Sequence, residues 1–149
     1  MSSRSTSWIV IDASVVVRSL VTSGDTPRAL ELLDGWNKAS RQLVAPQLLI
    51  PEVVSALRQI VRARHITPAE ADSAVENLLA LRIEYVPPDV ALCQSALRWA
   101  ARLDQVRAYD ALYVALAERE GAELWSADER LVRALQGAGG VRAFSVRSG

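Results

Sequence analysis

Residues 107–131 read RAYDALYVALAEREGAELWSADERL, and the order of elements within them decides the fold. AYDALYVALAERE has the composition of an apolar helix, with Gly121 as its stop. AELWSA is a short apolar run of strand type, and DERLVRALQ returns to helical spacing. Into this scaffold the chain sets two acids, Asp110 at the start of the helix and Asp128 just past the strand. Burying a carboxylate unpaired costs several kcal/mol or more, so each must be solvated, paired or bound to a cation.

The same alternation runs outward through the chain. WIVI at residues 8–11 reads as a buried strand and ASVVVRSLV as a short helix. Thr26 and Pro27 mark the start of a second helix, followed by a short strand LVAP. PQLLIPEVVSALRQIVRARH predicts a long helix ending near His65, and Thr67, Pro68 and Glu70 form a capping-box start for the next, over 68–81. RIEYVP is a strand and PDVALCQSALRWAARL a helix, while VRAFSV makes a last strand after the GAGG turn. Strands this apolar cannot be half-exposed, so the class is α/β, with a parallel sheet covered on both faces.

The chain has 149 residues, half of them hydrophobic, which predicts one domain over 1–149, with residues 1–6 as a flexible N-terminal segment. No run approaches the roughly 20 apolar residues of a membrane span, and MSSRSTSW lacks the core of a signal peptide, so a cytoplasmic protein is expected. Cys93, the single cysteine, excludes an internal disulfide and a Cys-based zinc site and reads as a small core residue. Basic and acidic residues balance at 17 each, so any nucleic-acid partner must be held by a local patch.

In a parallel sheet the carboxyl ends of strands and the amino ends of helices share one edge, where ligands bind. Asp12 ends the first strand, Asp128 follows AELW, and Glu52 and Asp110 sit in early helical turns, so all four map to that edge. Each alone has an ordinary explanation: Asp12 and Asp128 as helix caps, Asp110 as a complement to the helix dipole, Glu52 at the margin of an apolar stripe. Together they repel, and only protons or a cation compensate. No Lys or His lies near them in sequence, and a hard divalent cation, Mg²⁺ or Mn²⁺, suits such an all-oxygen set.

VIDASVVV, PEVVSALR, AYDALYVALAE and WSADERL, in this order from about residue 8 to the C-terminus, closely resemble the PIN domain. Among PIN proteins they are most similar to the compact toxin ribonucleases of VapBC toxin–antitoxin modules. The resemblance implies a three-layer α/β/α fold around a mainly parallel sheet of four to five strands. It makes Asp12, Glu52, Asp110 and Asp128 the catalytic acidic pocket, with Asp12, Asp110 and Asp128 as ligands of Mg²⁺ or Mn²⁺ and Glu52 as a further ligand or an aid to deprotonating water. Ser14 and Ser126 become polar groups behind the ligands or against the substrate, Ser126 standing where the family usually has Thr. Tyr109 precedes Asp110, as a packed aromatic or a functional one. The implied activity is endonucleolytic hydrolysis of RNA leaving a 5′-phosphate. Of the Arg residues near these acids, Arg18 and Arg107 read as solvated surface or, alternatively, as contacts to flanking phosphates. The implied partners are a VapB-like antitoxin, docking on apolar helices whose residues otherwise read as ordinary core packing, with Trp36 as either an exposed anchor or core, and a second copy of the chain in a homodimer.

The other chemistry-bearing residues read as structural. Asp104 falls in a loop, Asp89 starts a helix, and His65 ends one beside Arg62 and Arg64. A catalytically silent PIN-fold module for RNA binding or assembly is the competing reading, opposed by the intact set of four acids. A receiver-type or dehalogenase-type phosphoryl-transfer domain would need a second acid on the first strand and a well-placed Lys; VIDASV offers one acid, and Lys38 is misplaced.

Overall fold

The computed structural model describes residues 7–104 and 106–147; the flexible segment expected over residues 1–6 lies outside them. Five strands, β1 (Trp8–Ile11), β2 (Gln42–Pro46), β3 (Ile83–Val86), β4 (Glu123–Ser126) and β5 (Ala143–Ser145), form one sheet in the order β3-β2-β1-β4-β5. Every neighbouring pair is parallel, as expected. The expectation that no strand is half-exposed holds only at the centre: Glu84 of β3 and Phe144 of β5 are exposed, because an edge strand has a neighbour on one side only. Central β1 is buried along its whole length, Ile9, Val10 and Ile11 completely.

Seven helices connect the strands: α1 (Ala13–Leu20), α2 (Thr26–Lys38), α3 (Leu49–Arg62), α4 (Pro68–Ala80), α5 (Val90–Leu103), α6 (Ala108–Glu120) and α7 (Glu129–Ala138). The chain runs outward from β1 to β2 and β3, then crosses back past β1 to β4 and β5. Right-handed crossovers put α1–α4 on one face and α5–α7 on the other. In keeping with this, α1 packs against α2, α3 and α4, while α6 lies on β1, β2 and β4 with α5 along its outer side. Ala111 and Tyr113–Ala117 of α6 are buried, so this helix is apolar nearly all round and packs between sheet and α5. Gly121 ends it with a left-handed φ of 62°.

Helix α3 is shorter than its sequence pattern. Pro46 is still paired with Val86 in the sheet, and Arg64 takes a φ of 60°, which no helix interior tolerates. The capping box of α4 forms as read, Thr67 and Glu70 each bonding the other's backbone amide.

One packing expectation is corrected and one open alternative is decided. Cys93 is exposed, because Leu92, Ala96 and Trp99 supply the buried face of α5 and Cys93 is rotated about 100° from Leu92. Trp36 takes the core alternative, buried with its ring edge-on to Trp125 at 5.3 Å.

Candidate active site

The reversal of direction between β1 and β4 makes the gap at their carboxyl ends the topological switch point, where such sheets bind ligands. Asp12 is the first residue after β1 and the N-cap of α1, its Oδ1 accepting from the amides of Ser14 at 3.1 Å and Val15 at 3.3 Å. Asp128 caps α7 in the same way, accepting from the amides of Arg130 at 3.0 Å and Leu131 at 3.2 Å. Glu52 lies in the first turn of α3 and Asp110 in the first turn of α6. All four line one cavity of about 740 Å³. The capping explanation therefore holds for two of them and does not compete with a shared site: capping fixes each side chain at a helix start, and the helix starts converge.

Two serines tie the strand ends together. Ser126, fully buried, donates to Asp12 Oδ2 at 2.5 Å and accepts from the Asp128 amide at 2.9 Å. Ser14 Oγ bonds Asp12 Oδ1 and accepts from the Ala127 amide at 2.9 Å. Burial pushes the Asp12 carboxyl up, against the lowering effect of these hydroxyls and amides. Asp110 has no such support: burial first, then the charges of Glu52, Asp12 and Asp128, push its carboxyl up to about 6, with Arg107 opposing weakly.

Tyr113 escaped the sequence reading. Its hydroxyl donates to Glu52 Oε1 at 2.6 Å, and it lines the cavity although its ring is almost wholly buried. Burial and the Glu52 carboxylate push the phenol far above its ordinary range, so it remains a donor. The available signal was its position three residues after Asp110, which places both on one face of α6; among so many apolar neighbours it passed as core.

Asp104 caps the end of α5 with a φ of 54° and lies on the cavity rim, exposed. Asp89 caps α5 through the Leu92 amide at 2.7 Å and pairs with Arg119 at 2.8 Å, remote from the acids. His65 is exposed and outside the cavity, and Tyr109 is 61% exposed, which removes its packing explanation.

The family model for the PIN domain matches residues 9–135. The chain is 38% identical to Ribonuclease VapC3 of Mycobacterium tuberculosis over 85% of its own length and 86% of that protein's. The chain belongs to the PIN-domain family. Of solved structures, PAE2754 from Pyrobaculum aerophilum superposes with a TM-score of 0.70 at 22% identity, covering 96% of this chain and 93% of that one. A chain of VapBC2 from Rickettsia felis, crystallised on a promoter DNA fragment, superposes with a TM-score of 0.66 at 12% identity, covering 93% and 98%. Both share the PIN fold.

Within this PIN domain no three acids among the described residues stand at the mutual spacing of a ready-made metal-ligand set. Oδ1 of Asp12 and of Asp128 faces helix amides, and Glu52 Oε1 faces Tyr113. Oδ2 of Asp128, Oε2 of Glu52 and the Asp110 carboxylate are not used by those bonds. An all-oxygen, net-negative donor set of this kind fits a hard divalent cation.

Proposed function

We propose that this PIN domain is a VapC-type toxin, an endoribonuclease that hydrolyses phosphodiester bonds of RNA at the four-carboxylate pocket with Mg²⁺ or Mn²⁺. The observation that carries the reading is the convergence of Asp12, Glu52, Asp110 and Asp128 on one cavity, where burial and the three other carboxylates push Asp110 up to about 6. Identity of 38% to a protein named a ribonuclease supports the substrate class. A catalytically silent module is not favoured, since all four acids are present and share the site.

Asp12, Asp110, Asp128 and Glu52 would hold the ion, which when bound neutralises the scissile phosphate and acidifies the attacking water. Ser14 and Ser126 orient Asp12 by bonding both its oxygens. Tyr113 holds Glu52 by one oxygen and leaves Oε2 to accept a proton from water. Tight packing of α6 between sheet and α5 keeps Asp110 in place, so orientation costs little entropy at each turnover.

Purified chain should cleave structured RNA with Mg²⁺ or Mn²⁺, and Asp12→Asn or Asp110→Asn should abolish cleavage in proteins that still melt cooperatively. Undiminished cleavage in EDTA, or by Asp110→Asn, rejects the mechanism. The proposal includes two partners: a VapB-type antitoxin, supported by the VapBC complex among the structural neighbours, and a second copy of the chain. Co-purification with the product of an adjacent small reading frame tests the first, and sedimentation the second. No helix among the described residues is long and apolar enough to cross a membrane, and a cytoplasmic site of action on RNA is part of the proposal.

A further inference from the structure

Four carboxylates repel the polyanion they are proposed to cut, so an RNA strand needs cations beside the pocket to lie against it. Arg18, Arg107 and Arg130 line the cavity wall. Arg18, in the last turn of α1, is fixed at two points: Nη1 donates to the Ser14 carbonyl at 3.1 Å, and Nε donates to Asp25 Oδ2 at 3.1 Å. Asp25 stands at the N-cap of α2, yet its side chain caps nothing. Instead the same Oδ2 accepts from Nε of Arg147, just past β5, at 3.2 Å. One carboxylate oxygen thus joins two guanidinium groups from opposite ends of the described chain, and the cluster of two Arg and one Asp keeps a net positive charge. Arg18 is 22% exposed and Arg147 47%, so the inner group is held and the outer one is open. Neither Arg18 bond uses Nη2, and a guanidinium carries five N–H donors.

We propose that Arg18 and Arg147, joined through Asp25, form a subsite for a backbone phosphate of the RNA strand next to the cleaved bond, an inference that rests on the nuclease reading above. Arg18 contributes charge-assisted hydrogen bonds to a phosphate oxygen, and such backbone contacts set the register of the strand over the acids. Asp25 is a positioning residue: it presets both guanidinium groups and so lowers the ordering cost of binding.

The test uses a fluorescein-labelled stem-loop oligoribonucleotide in EDTA, followed by anisotropy across a salt series, with cleavage measured separately in Mn²⁺. Arg18→Ala is expected to weaken RNA binding and to lower the slope of log K against log salt by about 0.7–0.9. Its Mn²⁺ affinity by calorimetry should stay that of the unmodified protein. Arg18→Lys keeps the charge and guards against misfolding: it should restore the slope but not kcat/KM. Asp25→Asn separates positioning from charge, because removing a negative charge alone tightens RNA binding, whereas loss of positioning lowers kcat/KM. An unchanged affinity and slope in Arg18→Ala, in a background where the unmodified protein binds and cleaves RNA, overturns the subsite alone. Undiminished kcat/KM in Asp25→Asn overturns the positioning role. Failure of the unmodified protein to bind or cleave RNA overturns the nuclease reading and the subsite together.

Discussion

Asp110 makes function and stability oppose each other at one side chain. Its carboxyl is pushed up to about 6 by burial and by Glu52, Asp12 and Asp128. At pH values between the ordinary carboxyl range and 6, the folded chain retains a proton that the unfolded chain has lost. The stabilisation is therefore full in acid and disappears as pH rises through 6. With allowance for partial exposure, the loss is about 1–2 kcal/mol. Asp110→Asn should accordingly melt above the unmodified protein at pH 8 in EDTA and close to it at pH 4, while losing cleavage. Equal melting temperatures at both pH values would show that neither burial nor the neighbouring carboxylates shift Asp110. Tyr113→Phe isolates a different contribution, the single donor to Glu52 Oε1. Cleavage should fall by about 10–100-fold, as for other groups that orient ligands, and Mn²⁺ affinity by calorimetry should fall with it. Unchanged values of both would reduce the Tyr113 hydroxyl to a packing role.

Elements place these residues through their ends rather than their faces. Asp12 and Asp128 each cap a helix, so the partial positive charge of two helix N-termini lies beside the acids and offsets part of their repulsion. Thr67 caps α4 by the same physics, but no residue of α4 lines the cavity. Thr67→Ala should therefore cost about 1 kcal/mol in denaturant melts and leave the cleavage rate unchanged. A loss of activity larger than the loss of stability would mean that α4 reaches the site. The caps of α4 and α5 were legible in TPAE and PPDV because capping is local chemistry, decided within four residues. The end of α3 was less so: His65 looked helical in sequence, and only the positive φ at Arg64 shows where the chain turns toward α4.

At the scale of the molecule the pocket couples metal, protons and folding. A cation that binds only the folded chain raises its stability by about 2.7 kcal/mol at a hundredfold excess over Kd. Mn²⁺ should thus raise the melting temperature, more at pH 8 than at pH 5, where a proton on Asp110 competes. Asp12→Asn should abolish the shift, and a shift equal at both pH values would place the ion elsewhere.

Apolar strands alternating with helices determined by themselves a parallel α/β sheet, because a strand apolar on both faces has to be covered on both. That rule in turn places Asp12, Glu52, Asp110 and Asp128 at one edge from the sequence alone. Tertiary structure alone decided the rest. Trp36 faces the core and Cys93 the solvent, since a helix wheel shows which residues share a side but not which side finds a neighbour. Tyr113 meets Glu52 across 61 residues of sequence, Ser126 meets Asp12 across 114, and Arg147 meets Asp25 across 122. Such partners carry no local signal, because hydrogen bonds and ion pairs of this range exist only once the crossovers have brought the strand ends together.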